Sequence, residues 1–203
     1  MDRVSITATS FLDYALGGQR GRVQVVNAQR SIYRAEELRG RAFYQPIRHA
    51  LREAVGAEEP AKVLDAAVRS ATRQGQARAF EEIAEGFLPW LRRQRAVAVP
   101  VTSGSWSLGE LDLSVRPDLG LRGRDGSTMA VLAYFKEPVL TREVAMIGVR
   151  IMQQSLGPDV RAVVLDTRRG KHFSWTARTN AQNLDALIAG EVAGYVTHWR
   201  LVA

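Results

Sequence analysis

Apolar positions change their spacing near residue 95. Before it they recur every three or four residues, the period of a helix packed on one side. After it they alternate or run together, as in half-buried and fully buried strands. Ile47, Ala50, Leu51, Ala54 and Val55 predict a helix over 43–55 with one apolar face. Helices over 61–73 and 76–93 follow, separated at Gly75. The second carries a stripe of Phe80, Ile83, Ala84, Phe87, Leu88 and Leu91, the pattern of a core-facing helix. Nearer the start, Thr9 or Ser10 caps a short helix through Leu16 that Gly17-Gly18 ends, and Val23, Val25 and Val26 predict a short strand.

Beyond residue 95, the β-branched run over 96–101 predicts a strand, and Ser103-Gly104-Ser105 a loop. The stretch 108–115 alternates, with Leu111, Leu113 and Val115 on one side and Asp112 and Ser114 on the other. Arg124-Asp125-Gly126-Ser127 is a hairpin signal before a buried strand over 129–136 that Pro138 breaks. A helix over 140–156 stops at Gly157-Pro158. Strands over 162–165 and 173–176 precede a final helix capped by Asn180. The expected fold class is α/β, with α+β as the variant. A mixed β-sheet core with a crossover helix occupies 96–203, and a mainly helical part, 1–95, packs on it. At 203 residues the whole fits one domain.

Composition narrows the classes. The chain has no cysteine, which excludes disulfides and thiolate metal sites and points to a reducing compartment. The start, MDRVSITATSF, lacks the basic start and apolar run of a signal peptide, so cytoplasm is expected. No apolar stretch approaches the roughly 18 residues that span a bilayer, so no membrane partner is expected. Net charge is +7, a field that attracts polyanions, DNA or RNA among them. Basic residues are nearly all arginine. Only Lys62, Lys136 and Lys171 are lysine, and Lys136 alone of these ends an apolar strand, where a compact point charge differs from a planar fork.

Lys136 belongs to a constellation. Arg116-Pro117-Asp118 follows one strand, a hairpin comes next, and Tyr134-Phe135-Lys136 ends the return strand before a helix. RPDLGL followed by AYFK resembles the PD-(D/E)XK nuclease superfamily, the fold of many restriction and repair endonucleases, over about residues 96–178. The resemblance implies that Asp118 is a ligand for Mg²⁺ and that Lys136 stabilises charge on the phosphate. The chemistry needs both: a hard cation polarises the phosphodiester, and carboxylates converging from adjacent strands hold it. The sequence departs from the family at one place, because Tyr134 stands where the second acid belongs. A phenol, with a pKa of about 10, is a poor Mg²⁺ ligand. Glu110, Asp112, Glu137 and Glu143 are the candidates to replace it, Glu143 also reading as a helix-start acid.

Register supplies an internal test. A two-residue turn at Asp125-Gly126 sets Asp118 beside Ala133 and on the opposite face from Lys136. A three-residue loop sets Asp118 beside Tyr134 and on the same face as Lys136, and the nuclease-like reading requires that register or a bend at Pro117. For polyanions the candidate contacts are Arg92, Arg93, Arg116, Arg168, Arg169 and Lys171. Arg168 to His172 forms one basic turn, and Arg92, Arg93 and Arg95 form a second cluster. Three functions follow as expectations: a nucleic-acid-binding protein with a degenerate, inactive site; an active Mg²⁺-dependent nuclease with a relocated carboxylate; or a protein-interaction module. Oligomeric state is open, a homodimer included.

Overall fold

A computed structural model of the chain describes residues 3–34 and 39–202. Among these residues the order is β1 (Val4–Thr7), α1 (Ala8–Leu16), α2 (Gln19–Arg34), α3 (Arg39–Gly56), α4 (Pro60–Arg69) and α5 (Gln76–Gln94). Next come β2 (Val97–Ala98), β3 (Gly104–Leu108), β4 (Leu111–Val115), β5 (Leu119–Arg122) and β6 (Thr128–Tyr134). Then follow α6 (Arg142–Leu156), β7 (Val160–Asp166), a 3₁₀ turn (Thr167–Arg169), β8 (Lys171–Ser174) and α7 (Ala181–Leu201). The chain is a mixed α/β protein.

Two sheets form. The smaller runs β1-β4-β3, with β1 parallel to β4; the larger runs β2-β5-β6-β7-β8, with β6 and β7 parallel and joined across α6. The central strands are buried on both faces, which is why β6 reads as an unbroken apolar run. Ala130, Leu132 and Tyr134 enter a core shared with α1, α6 and α7. Met129, Val131, Ala133 and Phe135 enter a second core shared with α3, α4 and α5.

The strand pattern turns over at Arg116-Pro117-Asp118. Leu111, Leu113 and Val115 of β4 lie in the first core, whereas Leu119 and Leu121 of β5 lie in the second, although all five are odd positions. A regular strand cannot do this, because alternate residues keep to one face. Proline, with a fixed φ and no donor, breaks the ladder and lets the strand cross from one sheet to the other.

Several sequence expectations need correction. The stretch around Val23, Val25 and Val26 is helix, within α2. Its inward face is built from Val26, Gln29 and Tyr33, and apolar spacing misses polar-tipped residues; Gln29 is buried and bonds both Tyr195 Oη and the Ser10 carbonyl. Ser103-Gly104-Ser105 is not a loop throughout, since β3 begins at Gly104. The first helix is capped by Thr7, whose Oγ1 accepts from Ser10 N at 3.2 Å, and the four residues before the helix form β1. The expected cap at Asn180 is in place, accepting from Asn183 N at 3.0 Å. Of the β-branched run over 96–101, only Val97–Ala98 is strand. Residues 1–95 also supply more than helices, because β1 completes the smaller sheet.

Candidate functional site

The hairpin register differs from both alternatives that the sequence offered. Arg122 pairs with Thr128 and Leu119 with Val131, so five residues, 123–127, lie between the last paired positions. Asp125 Oδ1 holds the turn by accepting from Ser127 N and Oγ at 3.0 and 2.7 Å. Extended by one step, this register sets Asp118 opposite Leu132 and predicts a shared face with Tyr134 and Lys136. The bend at Pro117 overrides it.

Asp118 turns toward α3. Its Oδ1 forms an ion pair with Arg48 Nε at 2.6 Å, and its Oδ2 accepts from Ala133 N at 2.8 Å. Arg52 Nε donates to the Asp118 carbonyl at 2.8 Å, and the Arg48 guanidinium lies 5.1 Å from the centre of the Phe135 ring. The carboxylate therefore closes the end of the β5–β6 ladder, taking an N–H that no further β5 residue reaches. Burial pushes the Asp118 carboxyl up, against the pull of Arg48, the Ala133 N–H and Arg52.

Lys136 lies on the other side. Its Nζ is 2.6 Å from Asp13 Oδ2, a residue of α1, and the lysine side chain stays 52% exposed while that of Asp13 is 13% exposed. Tyr134 is buried beside them, its phenol pushed up by burial and then by Asp13 and Asp166. Asp166, at the end of β7, accepts from Leu140 N at 3.1 Å and lies 3.4 Å from Arg169 Nη1. Burial also raises the Asp13 carboxyl, against the pull of Lys136. Asp13, Tyr134, Lys136 and Asp166 thus gather at the C-terminal ends of the parallel strands, where open α/β sheets place their crevices.

The family-implied pair, Asp118 and Lys136, is therefore divided between two faces of one sheet. The candidate replacement acids are dispersed as well. Asp112 takes a two-pronged contact from Arg3 at 2.6 and 2.7 Å and a hydrogen bond from Ser107 Oγ. Glu110 pairs with Arg200. Glu143 sits exposed in the first turn of α6, and the Glu137 carbonyl accepts from Arg169. Among the described residues, no three of His, Asp or Glu stand together as a metal site would require. The residues singled out for Mg²⁺ do not fit it: Asp118 has one oxygen on Arg48 and the other on the Ala133 N–H, and among the described residues it joins no group of acids that could hold the ion.

The candidate polyanion contacts also separate. Arg168 is structural: its side chain is 8% exposed, donates to the Phe135 carbonyl at 2.7 Å and pairs with Glu82. Arg169 is spent on the Glu137 carbonyl and on Asp166. Lys171 is exposed, with Nζ 5.2 Å from the Phe173 ring centre. Arg92, Arg93 and Arg116 are exposed too; Arg116 Nε donates to Ser114 Oγ at 3.0 Å, and Arg93 reaches the Gly170 carbonyl at 3.4 Å.

Asp13 and Arg48 escaped the sequence reading. Asp13 has a signal, since it is the one acid in the apolar helix FLDYAL, and an acid there needs a cation. Arg48 has little: Arg48 and Arg52 stand one turn apart, as many surface arginines do. No helix of the described residues is long and apolar enough to cross a membrane. The chain matches no family model, and no curated protein matches it.

Proposed function

We propose that this protein binds nucleic acid, DNA or RNA, through unpaired surface arginines on a PD-(D/E)XK-like core whose motif residues serve structure instead of cleavage. The observation that carries the reading is the division of Asp118 and Lys136 between two faces, each held by its own partner. The order of elements from α5 through β7 supports the kinship: a helix, the short β2, β3 antiparallel to β4, β5 antiparallel to β6, a helix, then β7 parallel to β6. Hydrolysis needs two acids on one cation beside the phosphate, and Asp118 would first have to release Arg48. The charge of +7 supports binding, because neutralised phosphates release counterions whatever the sequence. Absence of cysteine supports a cytoplasmic setting.

The test is binding of labelled oligonucleotides in chelator across a salt series, alongside cleavage assays with Mg²⁺ and Mn²⁺. Affinity should fall steeply with salt, and no cleavage should appear. A flat salt response sinks the binding. Metal-dependent cutting that Asp118→Ala and Lys136→Ala both abolish restores the active-nuclease reading.

A further inference from the structure

A cleft of about 380 Å³ opens between the α3–α4 corner and the C-terminal end of α5. Its floor is aliphatic, made by Val55, Leu88, Leu91 and Ala96, and its rim carries Arg92 and Arg95. The one acid on the rim, Glu59, is engaged by Lys62 at 2.7 Å, so the two arginines set the local charge. Both are exposed, and neither has an ion-pair or hydrogen-bond partner among the described residues.

Arg95 carries a second signal. It ends α5 in the left-handed region, at φ 48° and ψ 42°, and is the only non-glycine residue with positive φ among the described residues. Gly75, Gly109, Gly126, Gly157 and Gly170 fill the other such positions. A residue with a Cβ is strained there, and helix ends of this kind favour glycine. Backbone strain of this sort persists where the surrounding structure over-determines it, and it clusters at ligand-binding places. Two residues on, Val97 pairs with the exposed Arg122, which extends the basic edge along β5.

We infer that this cleft holds one nucleotide of a single-stranded nucleic acid, with its phosphate on Arg92 and Arg95 and its sugar or base on the aliphatic floor. The inference rests on the nucleic-acid reading above and gives it a place. The volume falls within the roughly 300–1,000 Å³ range of small-ligand sites. Charge alone would suit a duplex equally, but an apolar floor suits an unpaired nucleotide, since a duplex hides its base faces in the stack.

The experiment uses the full chain and a labelled oligothymidine of about 4–16 nucleotides, read by anisotropy across a salt series. Arg92→Gln and Arg95→Gly should each weaken binding about tenfold, as loss of a hydrogen bond to a charged group does. Each should also reduce the salt slope by about 0.7, one phosphate contact on a single strand. Arg95→Gly should raise Tm, because glycine relieves the left-handed strain, so weaker binding by that variant is not unfolding. If both variants bind like the parent while Arg116→Gln with Lys171→Gln weakens binding, the inference falls and the proposed function stands. If the parent binds no oligonucleotide, both fall. Equal loss on a duplex of the same length overturns the single-strand assignment. Arg92- and Arg95-dependent binding to phosphatidylserine vesicles, with none to oligonucleotides, assigns the cleft to lipid instead.

Discussion

The two faces of the large sheet treat their motif residue differently. On the α3–α5 face, Asp118 is buried, ion-paired with Arg48 and bonded to the Ala133 N–H, so the carboxylate is part of the fold. On the α1–α6 face, Lys136 is half exposed and bonded to a mostly buried acid from α1. A nuclease-like site asks both groups to meet over one cation. Here each is neutralised where it stands, and the proline bend that turns β4 into β5 is what separates them. Two residues that look alike in a motif should therefore answer substitution unequally.

The largest expected effect is at Asp118. Asp118→Ala leaves Arg48 beside Phe135 without its anion and leaves the Ala133 N–H without an acceptor. Removing one partner of a buried pair costs about 3–5 kcal/mol. Because the Arg48 side chain is 25% exposed, the lower end, about 3 kcal/mol, is expected from urea unfolding. Asp118→Asn should lose less, since its amide oxygen still accepts from Ala133. A midpoint unchanged by Asp118→Ala would mean that the carboxylate is not structural, and the comparison between faces would collapse.

Lys136→Ala sharpens the comparison from the other face. The lysine contributes only part of a half-exposed pair, so about 1 kcal/mol is expected at neutral pH. The loss should depend on pH. Asp13 is already raised by burial, and without the ammonium its folded-state pKa rises further. Folded protein then holds a proton that the unfolded chain has released, so the variant loses stability as pH rises through that folded value. The gap from the parent should be wide at pH 7 and narrow as pH falls toward the ordinary carboxylate range. A gap constant with pH would show that Asp13 is not the group that Lys136 neutralises.

Much of this fold was legible in the chain, and its failures share a cause. Helix α5 announces itself through Phe80, Ile83, Ala84 and Phe87, and its observed span, Gln76–Gln94, differs by one residue from the helix over 76–93 that the sequence predicts. Strand β6, buried on both faces, is equally plain. By contrast α2 hides, because polar groups with specific partners make part of its inward face, Gln29 on Tyr195 being the clearest. The site was legible in parts: RPD and AYFK are where they were expected, yet which face each side chain takes depends on the bend at Pro117. Periodicity assumes a regular strand and cannot carry a face across a break. Arg168 illustrates the same limit, since a basic turn looks solvated until Gly86 is considered. A Cβ there would run into the Thr167 and Arg168 carbonyls, so α5 lies directly on the turn and seals Arg168 against Glu82 and the Phe135 carbonyl.

The smallest expected effect lies at His172, on the same face as Asp118. Its Nδ1 accepts from Trp90 Nε1 at 3.2 Å, which leaves the ring proton on Nε2. Burial first, then Arg161 and Arg93, hold this imidazole below its ordinary value. A second proton would go to Nδ1 and break the Trp90 bond. The unfolded chain therefore takes up a proton near pH 6.5 that the folded protein resists. Stability from this group is fully present above that pH and is lost as pH falls toward the folded value. Tm should be flat from pH 8 to about 6.5 and then decline slightly, and His172→Gln should remove that decline. Arg161→Gln separates the causes. If the charge of Arg161 contributes, the His172 titration followed by NMR moves up in the variant; if it stays in place, Arg161 does not reach the histidine, and burial together with Arg93 holds it down.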